Sequence, residues 1–169
     1  MGYHKPTLPH PDDVILDLVE GIMANGRSSR LYRKLVQDTQ VASNVDIGTD
    51  IPGSRLENLF LVEVNLLGNH TPMDAIHLVD EELDRLKEED VSPAELEKAK
   101  NQIRVNHLWQ METNEGMAAE LAHFQTLAGD WHYLPRYLDL VDQVTAKDIR
   151  HVAQTYFQKK NRTIGVLVP

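Results

Sequence analysis

The stretch Asn25-Gly26-Arg27-Ser28-Ser29-Arg30-Leu31-Tyr32-Arg33-Lys34 gathers residue types that could receive a carboxylate or a peptide carbonyl. Gly26 can carry the backbone to positive φ without steric cost. Ser28 or Ser29 can cap a following helix by accepting from an orphan backbone N–H one turn on. The start of that helix would then offer bare N–H groups at its positive end. The same residues also describe an ordinary connection between two helices with a serine cap, and spacing does not choose between the two readings. Asn25, Gly26, Arg27, Ser28, Ser29 and Arg30 are the candidate contacts for a substrate or partner.

Other chemistry finds little support. A metal site built on a helix needs ligands one turn apart, most tellingly two histidines at i and i+4 beside a glutamate. None of the eight histidines is so placed. His77 has Glu81 four residues on, but within a strongly acidic polar face. His107 lies between Ile103 and Met111 at helical spacing and reads as a half-buried structural histidine. Ser28, Ser29, Ser43, Ser54 and Ser92 occur in cap, strand and turn contexts without a G-x-S-x-G elbow. No phosphate-binding glycine loop occurs, and the carboxylate pairs at Glu81-Glu82 and Glu88-Glu89-Asp90 belong to polar stretches. No catalytic and no metal-binding residue is expected in this chain.

The elements that must position the loop follow from periodicity. Pro9 to Asp13 opens a helix with acids at its positive end, and Ile15, Leu18, Val19 and Ile22 share a face up to Gly26. A basic second helix runs from about Ser29 to Thr39 around Leu31 and Leu35. From Val41 the period becomes two: Val41, Val45, Ile47 and Ile51 on a dry face, and Ala42, Asn44, Asp46, Gly48 and Asp50 on a wet one. After the turn at Ile51-Pro52-Gly53-Ser54, Phe60, Val62, Val64 and Leu66 define a second strand that can pair with the first as a hairpin. Thr71-Pro72 starts a helix with a dry stripe of Ile76, Val79, Leu83 and Leu86, opposite Asp80, Glu81, Glu82, Asp84, Lys87 and Glu88.

Ser92-Pro93-Ala94-Glu95 is a capping box that starts a helix to about Met111, with Leu96, Ala99, Ile103, Leu108 and Met111 inward. Helix continues over 113–127 after a kink at Thr113-Asn114, with Met117, Ala118, Leu121, Ala122 and Phe124 available for packing, and Gly129 ends it. A short helix with Tyr137, Leu138, Leu140 and Val141 follows Pro135. A further capping box, Thr145 to Asp148, begins a helix with Ile149, Val152, Ala153 and Tyr156 on one face. Thr163 to Val168 is expected as a closing strand, and Tyr3-His4 as the end of another.

The 169 residues suit a single domain, able to bury about 70% of its unfolded surface. The chain has no cysteine, and 17 basic against 26 acidic residues give a net charge of −9. That balance disfavours nucleic acid, because a binder must neutralise phosphates. No apolar run reaches the eighteen or so residues of a membrane span, and the start has no signal-peptide core.

Asn25-Gly26-Arg27-Ser28-Ser29-Arg30-Leu31-Tyr32-Arg33-Lys34-Leu35 resembles the Gly-Gly-x-Ser-Ser-Arg-Leu-Tyr-x-x-Leu run of the pitrilysin/insulinase family of zinc peptidases, which includes the mitochondrial processing peptidases. Glu95-Leu96-Glu97-Lys98-Ala99-Lys100 is similar to that family's Glu-Leu-x-x-Ala-Lys helix start. Val144 to Ile149 and Asn161 to Pro169 also match its usage. The resemblance covers almost the whole chain and is to the second, C-terminal domain, particularly of bacterial members.

The resemblance implies an α+β fold, a two-layer domain with helices packed on one face of a largely antiparallel sheet. It implies that residues 1–169 are one domain excised from a longer peptidase chain, with the first strand shortened. In the family, two such domains form each half of a clamshell around unfolded peptides. Zinc is held by His-x-x-Glu-His and a later Glu in the N-terminal domain of one half, so zinc is expected in that separate domain and no cofactor in this chain. The opposite half commonly lends an Arg and a Tyr seven residues apart; aligned on Leu35 these fall at Val36 and Ser43, so the pair is absent. The implied function is an inactive, substrate-enclosing domain of a zinc metallopeptidase. Its partners would be the N-terminal catalytic domain of the same protein, a homologous second half and unfolded peptide substrate. The alternatives are a non-catalytic assembly subunit derived from such peptidases, and an unrelated hydrolase whose site assembles in space. Bacterial resemblance leans towards a periplasmic or envelope location.

Overall fold

The computed structural model describes residues 1–68 and 70–167. One helix organises it. α1 (Pro11–Met23) starts with Pro11 at its first position and His10 as cap, whose Nδ1 accepts from the Asp12 N–H at 3.2 Å. Val14, Leu16, Leu18, Val19, Ile22 and Met23 are all buried, so α1 is covered on several sides, as expected of a helix apolar around most of its girth. The sheet has the order β2-β3-β1-β4, formed by β1 (Gly2–Lys5), β2 (Ala42–Ile51), β3 (Asn58–Leu66) and β4 (Arg162–Thr163). All its pairings are antiparallel, with Tyr3 opposite Phe60 and Val45 opposite Val64.

The helical layer consists of α1 with α2 (Pro72–Glu88), α3 (Pro93–Gln110), α4 (Asn114–Leu127), α5 (Tyr133–Gln143) and α6 (Ala146–Tyr156). α1 packs on β2, α3, α5 and α6, while α2 lies against β3 and α6. Tyr3, Val45, Ile47, Phe60 and Val62 form the inner face of the sheet. Phe157, just past α6, seals the layers with its ring centroid 5.2 Å from Tyr3 and 4.8 Å from Phe60. Burying each such ring contributes about 1.5–3 kcal/mol. The fold is therefore the α+β arrangement that the resemblance implied, and Thr71, Ser92 and Thr145 all make reciprocal capping boxes.

Several sequence expectations need correction. The basic helix after the loop is wound as a π-helix over Tyr32–Asp38, closed by the Thr39 N–H donating to the Lys34 carbonyl at 3.1 Å. Ala42, assigned to a wet face, is fully buried, because an irregularity between Ala42 and Asn44 switches the phase of β2 and lets Val41 and Ala42 both turn inward. Ile51 is exposed beyond a second irregularity.

Glu82, placed on the solvated face of α2, is buried, with Arg85 Nη1 3.1 Å from its carboxylate; α2 is covered on more than one side. Leu108, expected inward, is 59% exposed, and Met117, Ala118 and Ala122 are also exposed. The helix does not merely kink near Thr113. It stops and restarts, because Thr113 Oγ1 caps α4 from the Gly116 N–H at 3.0 Å. Gly116 packs so closely that a Cβ there would stand 1.8 Å from the Gln110 carbonyl oxygen. Of the expected closing strand Thr163 alone pairs among the described residues, joined by Arg162 before it, opposite Gly2 and Tyr3 at the start of β1; Val168 lies outside the described residues.

Candidate functional site

The loop from Asn25 to Arg30 leaves α1 through Ala24, whose N–H donates to the Glu20 carbonyl at 2.9 Å. Gly26 then adopts φ +83°, a conformation that disfavours any side chain. Asn25, Gly26, Arg27 and Ser28 are exposed, whereas Ser29 is 2% exposed. Neither serine caps the next helix. Ser29 Oγ donates to the Gly26 carbonyl at 2.7 Å, and Ser28 Oγ accepts from Lys98 Nζ at 2.6 Å. Ser29 thus closes the turn and Ser28 ties it to α3, and the π-helix begins beyond both with Leu31 as its uncapped start.

Arg30 is also engaged internally. Its Nε and Nη2 donate to the two carboxylate oxygens of Glu95 at 2.8 and 3.2 Å, a fork that neutral donors cannot match. Glu95 at the same time accepts from the Ser92 N–H and hydroxyl at 3.0 and 2.8 Å. These bonds, the Arg30 one foremost, pull the Glu95 carboxyl down to about 2. Thus the family-like arginine ties the loop to the capping box of α3. Four of the six candidate contacts face solvent, while Ser29 and Arg30 shape them from beneath.

Beside the loop a cleft of about 270 Å³ is lined by residues of α1, β2, α3 and α5, with Asn25 at its edge. Asp17 and Glu20 of α1 line it, and Asp13 stands one helical turn before Asp17. Lys5 Nζ is hydrogen-bonded to Asp13 and donates to the Thr49 carbonyl at 2.7 Å. Tyr137 OH donates to Asp17 Oδ2 at 2.7 Å, and Thr49 Oγ1 to Glu20 Oε2 at 3.3 Å. Neither Asp17 nor Glu20 has an ion-pair partner among the described residues.

Burial, reinforced by neighbouring carboxylates, pushes Asp17 up to about 6 and Glu20 up to about 7. Burial raises Asp13 as well, against the opposing pull of Lys5. His107 of α3 is buried and its proton affinity is lowered by that burial. Its Nδ1 lies 4.0 Å from Glu120 Oε2, and its Nε2 has no hydrogen-bond partner among the described residues. Gln102 Oε1, also in the cleft wall, is likewise buried without a partner.

The cleft can hold or exchange a proton near neutrality and can attract a cation. It does not fit a zinc ion. Among the described residues no three histidine, aspartate or glutamate side chains converge to hold a metal. His77 is exposed on α2, away from this cleft, while His107 lies within it. Periodicity alone does not reveal the cleft, since Asp12 and Asp13 suit the positive end of a helix dipole. The available signal was the recurrence of carboxylates at 13, 17 and 20 in a helix otherwise almost wholly apolar.

Residues 1–103 match the family described as the peptidase M16 inactive domain. A zinc protease of Helicobacter pylori, PqqE, is 27% identical over 180 residues; the match takes in 100% of this chain but 37% of that protein, so the chain spans little more than a third of this curated relative. The inactive peptidase domain of a candidate zinc protease from Bordetella parapertussis superposes with a TM-score of 0.88 at 28% identity, covering 99% of this chain and 90% of that one. A candidate zinc protease from Bordetella pertussis gives 0.86 at 29% identity, over 99% and 91%. No described helix is long and apolar enough to cross a membrane. With the loop, the capping box and the layered fold all in place, the chain belongs to the family of peptidase M16 inactive domains.

Proposed function

We propose that this domain is the catalytically inert, substrate-enclosing C-terminal part of a zinc metallopeptidase that cleaves unfolded peptides, the zinc and its base residing in a separate N-terminal domain. The observation that carries the reading is the match along essentially the full chain to an inactive peptidase domain of a candidate zinc protease. The short match to a much longer zinc protease supports it. So does the surface of α3 and α4, where Val105, Leu108, Trp109 and Met117 are all exposed, an apolar set that suits a partner domain. The exposed part of the Asn25–Ser28 loop and the adjoining cleft would face the enclosed peptide.

The test pairs the 169-residue chain with a His-x-x-Glu-His-bearing domain from the same protein. Hydrolysis of an unfolded, dye-quenched peptide is expected from the two together and to be lost on adding a chelator. The chain by itself is expected to give none. Zinc-dependent hydrolysis by this chain in isolation, surviving repurification, would overturn the proposal.

A further inference from the structure

The cleft beside the loop carries charge that the chain leaves uncompensated. Of the four carboxylates on α1, Asp12 accepts from the Tyr156 hydroxyl and Asp13 is taken up by Lys5, while Asp17 and Glu20 receive only the hydroxyls of Tyr137 and Thr49. His107, 5% exposed, lines the same space with an unpartnered Nε2. A neutral ring with its proton on Nδ1, the atom facing Glu120, presents that Nε2 as an acceptor. Gln102 Oε1 is a further acceptor without a donor.

Acceptors left without donors in a buried site are costly, so the wall is complementary to a ligand rich in N–H groups. The volume of about 270 Å³ lies just below the range of pockets for whole small molecules, about 300–1,000 Å³, and suits a single side chain. Entry is past Asn25, Asn106 and Gln110, which are exposed.

We infer that this cleft is a subsite for an arginine side chain of an extended polypeptide, its guanidinium lying between Asp17 and Glu20, beside the walls formed by Gln102 and His107. A guanidinium suits the site better than an ammonium because it spreads five donors over a plane. The polypeptide source rests on the substrate-enclosing reading; the preference for a cation rests on the cleft. Protonation of the two acids removes the attraction, so binding weakens as pH falls through 7 and 6. The charged and titratable groups around them are Lys5, Asp13, Asp46, Asp50, His107 and Tyr137, of which Lys5 alone is a fixed cation.

The test titrates an unstructured twelve-residue peptide with one central arginine, and the same peptide with citrulline in its place, into the 169-residue chain, read by calorimetry and by amide shifts of α1 and α3. At pH 8 the arginine peptide is expected to bind about tenfold more tightly, the preference falling to about threefold or less at pH 5. Asp17→Asn and Glu20→Gln, each with an unchanged circular dichroism spectrum, are each expected to remove most of it. Equal affinity for the two peptides overturns the subsite and leaves the enclosing role standing. No binding of either peptide overturns both. Free arginine binding as tightly as the peptide overturns the polypeptide source.

Discussion

Converting the two cleft acids to amides should remove most of the stabilisation that acid confers on the fold. In the folded chain Asp17 titrates near 6 against an ordinary 3.8, and Glu20 near 7 against 4.5. Both shifts are upward, so between about pH 4 and pH 7 the folded state holds protons that the unfolded state has released. Stability from this pair is therefore fully present below the unfolded values and lost as pH rises through 6 and 7. At about 1.4 kcal/mol for each unit, Asp17 corresponds to about 3 kcal/mol. Glu20 adds less than a similar amount, because repulsion from Asp17 is part of its own shift. We expect the pair to cost about 3–4 kcal/mol between pH 5 and pH 8.

The assay is urea unfolding at pH 5, 6, 7 and 8, followed by far-ultraviolet circular dichroism. His107 acts oppositely, since its lowered proton affinity favours the folded state as pH rises through the histidine range. Its contribution cancels when the wild-type curve is compared with that of Asp17→Asn/Glu20→Gln. Glu95, held near 2, loses its contribution only below about pH 4.5 and stays outside the window. The double variant should show little fall between pH 5 and 8 and exceed the wild type at pH 8 by about 2–3 kcal/mol, or roughly 4–12 °C in Tm. A wild type whose advantage over the variant does not grow on acidification would refute the burial argument.

Three further substitutions test the framework. Phe157→Ala removes the ring wedged against Tyr3 and Phe60 and should cost about 3–5 kcal/mol, measured by urea unfolding at pH 7. Arg30→Lys loses the fork to Glu95, so a carbon-detected NMR titration should find the Glu95 carboxyl moving back towards the ordinary glutamate value, with a stability loss of about 1 kcal/mol. Gly116→Ala places a methyl where the Gln110 carbonyl stands, and should cost about 1–3 kcal/mol with faster amide exchange concentrated in α4.

Helix starts and the period-two strands were legible because the groups that create them are local. Ser92 with Glu95, and Thr145 with Asp148, satisfy backbone groups within one turn, and no tertiary contact is needed to recognise them. The loop residues were legible as a motif, and resemblance carried the fold. Long-range partners were not. Arg30 had five donors and no visible acceptor until α3 brought Glu95 beside it from 65 residues away. Ala42 turned inward because of a local irregularity in pairing with β3, and Glu82 went under because a second helix lies on α2.

By itself, then, the chain's order of residues determined most of the segments that coil, the two hairpin strands that extend, and where the capped helices start. Only the assembled layers decided which polar side chains lose water. Asp17 and Glu20 are ordinary acids in an extended chain and become unpaired, proton-retaining ones when β2, α3 and α5 close around α1. Desolvation is a property of everything that surrounds a group, and no stretch of neighbouring residues contains it.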